Sequence, residues 1–93
     1  MSTEHLVFMK QLVENVEYAN ENGVLNVIEL FKHEDSDVRE GTSFAAGAFE
    51  TLRQLLNLRP DLLTPRVTQE LEALAQDNDE RVQSVAQAVL GKM

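Results

Sequence analysis

Two short acidic runs, Asp35-Ser36-Asp37 and Asp77-Asn78-Asp79, offer the most chemistry in this chain. Carboxylates at alternate positions can open a calcium loop. Such a loop needs oxygen ligands at positions one, three and five, glycine at six and a bidentate glutamate at twelve. Here position five is Arg39 or Arg81, and position twelve is Ala46 or Ala88. A cation at five and a methyl group at twelve argue against calcium, so helix capping is the expected duty of both runs. Glu29 and His33 stand four apart on a predicted helix and could share a metal. Two ligands do not complete a site, and exposed i, i+4 neighbours are the simpler reading. His5 falls in a first helical turn, where fraying and solvent are expected. The sequence therefore predicts no metal and no cofactor.

Catalytic signatures are as sparse. The chain has no cysteine, no Gly-x-Ser-x-Gly turn and no glycine-rich phosphate loop. Its carboxylates are plentiful, but a working acid–base pair needs a pocket that splits the two pKa values. Thin helix layers leave little volume for one, and the expectation is that the protein is not an enzyme.

Charge narrows the field further. Sixteen acids against eight bases give a formal net charge of −8 and a pI near 4.6. Phosphate backbones and anionic lipid surfaces repel such a chain, which disfavours direct nucleic-acid or membrane binding. A basic protein would be attracted and steered toward it. No apolar run approaches the roughly 18 residues that cross a bilayer. The opening Met-Ser-Thr-Glu-His lacks the basic start and apolar stretch of a signal peptide, and a cytoplasmic location is expected.

Apolar spacing near 3.6 runs through most of the chain and predicts an all-α fold of about five helices in antiparallel hairpins. A leading helix covers about 3–20, with Leu6, Met9, Val13 and Val16 in one stripe. Asn20-Glu21-Asn22-Gly23 is expected to end it, Gly23 taking a left-handed cap. A second helix, about 24–33, carries Val24, Val27, Ile28 and Phe31 at i, i+3, i+4 and i+7. The third and longest is predicted over 37–57, with Val38, Ala45, Phe49, Leu52 and Leu56 on one side and Phe44 beside them. Gly41 and Gly47 inside it would each cost about 1 kcal/mol, which a close helix crossing or a docked partner segment anchored on Phe44 or Phe49 would offset. The 58–65 stretch, with Pro60 and Pro65, reads as the linker, and Thr64 as the N-cap of a fourth helix to about Gln76. A fifth carries Val82, Val85, Ala86, Val89 and Leu90. One domain, 1–93, is expected: a leading segment (1–22), a first hairpin (24–57) and a second (64–91).

The two acidic runs also belong to a repeat. Asp35-Ser-Asp-Val-Arg-Glu returns as Asp79-Glu-Arg-Val-Gln-Ser, and placing Val38 on Val82 places Asp35 on Asp79 at an offset of 44 residues. Periods of that size mark stacked helix pairs. Asp35, Asp37, Val38, Arg39, Ala45 and Ala46 resemble the HEAT repeat, whose second helix follows an Asp-bearing turn with Val-Arg and alanines. The later copy keeps Asp77, Asp79, Val82 and Ala86 but has Gln83 in place of the arginine, and neither copy has the usual first-helix proline. The resemblance covers roughly 24–91 and implies a short right-handed helical stack. It further implies that Arg39 joins a charged ladder toward Asp77 or Asp79. Two and a half repeats fall short of the three or so such arrays need, so the end faces, helix one with Phe8 and Leu12 and helix five, are expected to be polar or covered by a dimer mate or partner.

Parallel stacking would put both turns on one rim, gathering Glu34, Asp35, Asp37, Glu40, Asp77, Asp79 and Glu80 against Lys32, Arg39 and Arg81. With Phe44, these seven are the expected partner-binding residues. The functional expectation is a non-catalytic acidic protein-binding module, foremost an inhibitor such as an immunity protein that occludes a basic toxin nuclease. An adaptor or assembly factor, or an acidic nucleic-acid mimic, are the alternatives, and a homodimer is also open to it.

Overall fold

The computed structural model describes residues 3–91; Met1, Ser2, Lys92 and Met93, which the expected domain includes, lie outside the described residues. Among the described residues six α-helices follow one another: α1 (Thr3–Glu14), α2 (Glu21–Glu29), α3 (Ser36–Glu40), α4 (Ala48–Leu58), α5 (Pro65–Leu74) and α6 (Glu80–Leu90). Single 3-10 turns, Val16–Tyr18, Leu30–Lys32 and Pro60–Leu62, close α1, α2 and α4. The fold is all-α, as the periodicity predicts, with six helices where five were expected.

Side-chain caps set most of the boundaries. Asn20 accepts from the Gly23 amide (2.9 Å) and so starts α2 rather than ending the leading helix. Gly23 lies within α2, where a Cβ would stand 3.2 Å from Leu12 Cδ2; its use is a close approach to α1, not a left-handed cap. Thr64 caps α5 as predicted, its hydroxyl accepting from the Val67 amide (3.3 Å) with Pro65 at the first helical position. The same hydroxyl donates to Glu21 on α2.

The predicted third helix is the main correction. It breaks after one turn of α3, and residues 41–47 form a closed loop before α4 begins. Gly41 adopts φ +88°, the only positive φ among the described residues, and forms an isolated antiparallel bridge with Ala46. The Thr42 amide donates to Ala45 O (2.8 Å), while the Thr42 hydroxyl accepts from the Phe44 and Ala45 amides (3.1 Å each). Gly41 and Gly47 meet backbone to backbone: a Cβ on Gly47 would lie 2.3 Å from Gly41 N. The glycines therefore close a loop and do not serve a helix crossing. Neither Phe44 nor Ala45 joins a helical stripe.

Burial follows the remaining stripes. Val24, Val27, Ile28 and Phe31 are all buried, as are Ala48, Leu52, Leu55 and Leu56 on α4 and Val82, Ala86 and Val89 on α6. Phe31 meets Phe49 edge to face, centroids 5.0 Å apart. Helix α4 touches α1, α2, α3 and α6, and α5 pairs with α6. The narrowest extent, 19 Å, accommodates about two helix diameters.

The segment read as a linker is a joint. Leu62 is buried within it. Arg59 donates through Nη1 to the carbonyls of Val16 (2.9 Å), Glu17 (3.1 Å) and Ala19 (3.4 Å) around the end of the first 3-10 turn. Its Nε and Nη2 grip Asp61 with a two-pronged contact of 2.9 and 2.8 Å. That pairing holds the Asp61 carboxyl below its ordinary range, burial opposing it.

Candidate functional site

The two acidic turns have the same local geometry. Asp35 caps α3 at φ −83°, ψ 119°, its side chain accepting from the Asp37 amide (2.9 Å). Asp79 caps α6 at φ −81°, ψ 117°, accepting from the Arg81 amide (2.9 Å). Two residues before each cap, a side chain accepts the cap residue's own amide. In the second turn that acceptor is Asp77 Oδ1 (2.8 Å); in the first it is His33 Nδ1 (3.0 Å). The 44-residue offset thus places His33 on Asp77 as well as Asp35 on Asp79. Capping, the duty predicted for both runs, is what Asp35 and Asp79 do.

Cross-links hold the turns side by side. Lys32 Nζ reaches Asp77 Oδ2 at 2.7 Å, and Arg81 Nη1 reaches Glu40 Oε1 at 2.6 Å. Arg39, the expected ladder member, turns back on its own hairpin instead, donating to the carbonyls of His33 (2.6 Å) and Glu34 (3.3 Å). The reason lies in reach. One turn into α3, its guanidinium meets the carbonyls of the two residues that follow α2's terminal turn, within its own hairpin. Lys32 and Arg81, at the facing edges, make the connection. Four sets of polar contacts then join residues 40 to 45 apart: Arg59 to 16–19, Thr64 to Glu21, Lys32 to Asp77, and Arg81 to Glu40.

All seven predicted rim carboxylates sit on these two turns, but they do different things. Asp77, its side chain 12% exposed, is consumed by Lys32 and the Asp79 amide; Glu40 is engaged by Arg81; Asp35 and Asp79 are caps. Glu34, Asp37 and Glu80 enter no ion pair among the described residues. The Lys32 contact first, and then the Asp79 amide, hold the Asp77 carboxyl below its ordinary 3.8, with burial opposing. A depressed folded value means the folded state resists protonation. Its stabilising contribution is therefore present above about pH 4 and lost as the pH falls through the folded value. A carboxyl-detected NMR titration should find the Asp77 midpoint below 3.8, and Lys32→Ala should move it upward.

No family model, curated protein or solved structure matches the chain. Function has to be argued from its geometry alone.

His5 was expected to face solvent, yet its ring meets His33 edge to face, with centroids 5.1 Å apart. Nothing in the sequence links positions 5 and 33; only the packing of α1 over the end of α2 brings them together. Among the described residues no three His, Asp or Glu side chains gather in a metal-holding group. Glu29 and His5 instead share the lining of a shallow groove with Phe8, Asn26 and Leu30. Phe44 stands apart from every other predicted residue: it is 99% exposed, at the tip of the 41–47 loop. Beside it, between α1 and α4, lies a groove of about 170 Å³.

Proposed function

We propose that the chain is a non-catalytic acidic protein-binding module whose contact surface is the edge formed by the two Asp-capped turns. Its finer form is an inhibitor of a basic protein, such as an immunity protein that covers a toxin nuclease. The observation that carries the reading is the lateral joining of the turns through Lys32–Asp77 and Arg81–Glu40. It joins two turns whose sequence carries seven carboxylates and three cations, and Glu34, Asp37 and Glu80 enter no ion pair among the described residues. An edge of that sign accelerates encounter with a cationic surface and opposes anionic ones. The polar contacts at 40–45-residue spacing, and the twin capping geometry, support a HEAT-like stacking of the two hairpins as the frame for that edge.

Division of labour among the acids sharpens the test. Removing Asp35, Asp77 or Asp79 would damage caps and cross-links, so the informative variant is Glu34→Gln/Asp37→Asn/Glu80→Gln. Helical circular dichroism should be unchanged in this triple variant. Affinity capture at low salt with the wild type should retain a basic protein whose association rate falls about tenfold or more with the variant and with added salt. Retention of the same protein by both forms, insensitive to salt, would overturn the acidic-edge reading.

A further inference from the structure

The closed 41–47 loop carries one aromatic side chain in water. Its ends are clamped by the Gly41–Gly47 contact, and its interior by the Thr42 hydroxyl and the Thr42–Ala45 hydrogen bond. At its tip Phe44 is 99% exposed. With the backbone that carries it already fixed, the ring would bind without the cost of ordering a loop, which suits an interface anchor. The core does not need it: Phe31 and Phe49 pair without it.

Immediately beside this ring is a place for another. The groove between α1 and α4 is lined by Met9, Val13, Thr51 and Gln54, with Lys10 and Glu14 at its lip, and Phe44 itself forms part of the wall. Its volume of about 170 Å³ matches a single aromatic ring, since an apolar cavity of about 150 Å³ holds benzene. Knob and hole therefore occupy one face. A face carrying both can be related to a second copy by a two-fold axis, each knob filling the other copy's hole. Charge agrees with that occupant. The chain carries −8 overall, but this lip bears one base and one acid, so two copies can meet here with little local like-charge repulsion.

We infer that the protein self-associates through a two-fold interface in which Phe44 of each copy inserts into the α1–α4 groove of the other. The inference stands independently of the acidic edge. It also responds to salt in the opposite sense. Two copies of net charge −8 repel at long range, so added salt should strengthen the dimer, whereas it should weaken capture of a basic protein.

Sedimentation equilibrium on the purified chain, up to about 1 mM and at low and high salt, is the test. The wild type should show a monomer–dimer equilibrium that shifts toward dimer as salt rises. Phe44→Ala should weaken it by about 100-fold or more, because each dimer loses two anchors, with thermal unfolding unchanged. Gln54→Trp, which fills the groove and leaves the knob intact, should weaken it comparably. Mixing the two variants is the decisive arm. Phe44→Ala loses one wall of its hole but keeps the Met9, Val13, Thr51 and Gln54 lining, and Gln54→Trp keeps a free knob, so the mixture should form a heterodimer through one contact while each variant alone stays monomeric. A wild type that remains monomeric throughout, or a mixture with no heterodimer, overturns the proposal. Self-association undiminished by Phe44→Ala would place the interface elsewhere and overturn it equally.

Discussion

Gly47→Ala should destabilise the protein by on the order of 3 kcal/mol, the range in which strained backbone and core overpacking fall. The cause is contact rather than conformation. Gly47 sits at φ −90°, ψ −171°, which any residue adopts, so the new methyl group brings no torsional cost of its own. Its Cβ would lie 2.3 Å from Gly41 N and 2.7 Å from both Arg39 C and Arg39 O. Those are backbone atoms and cannot swing aside as the end of a flexible side chain would. Either the loop opens, losing the Gly41–Ala46 bridge, or α4 moves away from α3. Gly41→Ala should be at least as severe, because φ +88° disfavours any Cβ and the added atom would also stand 2.6 Å from Ala45 O and Gly47 N. In urea, a slope of roughly 1.5 kcal/mol per molar turns such a loss into a midpoint about 2 M lower. A midpoint within experimental error of wild type, with the Thr42 amide still protected from exchange, would show that the two backbones can separate without loss.

The same residues explain where sequence reasoning worked and where it stopped. Stripes at helical spacing located the buried faces of α2, α4 and α6, because burial on one side of a helix leaves a period in the sequence. Thr64-Pro65 and the twin Asp turns were legible because their function is local: a side-chain oxygen three or fewer residues from the amides it satisfies. The break at 41–47 was not. Ser-Phe-Ala-Ala continues a helical pattern well enough, and two glycines six apart suit a close crossing as readily as a clasp; the difference lies in a contact between their backbones. Asn20 also had two readings. Asn20-Glu-Asn-Gly23 contains residues suited to ending one helix and to starting another, and only the direction of the Asn20–Gly23 hydrogen bond decides between them. Arg59, Lys32 and Arg81 act across 40 or more residues, a distance at which one sequence contains no pairing signal. For the two turns, the seven carboxylates can be read from the sequence. What it could not supply was their division into caps, cross-linked partners and the three that enter no ion pair among the described residues.

Leu52→Ala should cost about 2–5 kcal/mol and should do so for the whole molecule at once. Leu52 is 0% exposed near the middle of α4, the helix that α1, α2, α3 and α6 all touch. Removing three carbons there leaves a void in the core cluster, and its cost approaches the upper range where the surrounding helices cannot close it without leaving their other contacts. A domain of this size is stabilised by only about 5–14 kcal/mol, so the change removes a large share. Position on α4 has a further consequence. In an ideal linear array each hairpin touches only its neighbours, and a lesion in one hairpin unfolds that part first. Here α1 and α6 both pack against α4. Far-ultraviolet circular dichroism and the exchange of slow amides in α1 and in α6 should therefore report one shifted transition, with an unchanged urea slope. Earlier loss of the α5–α6 amides, with α1 still protected, would mean that the hairpins unfold as separate units and that α4 does not unite them.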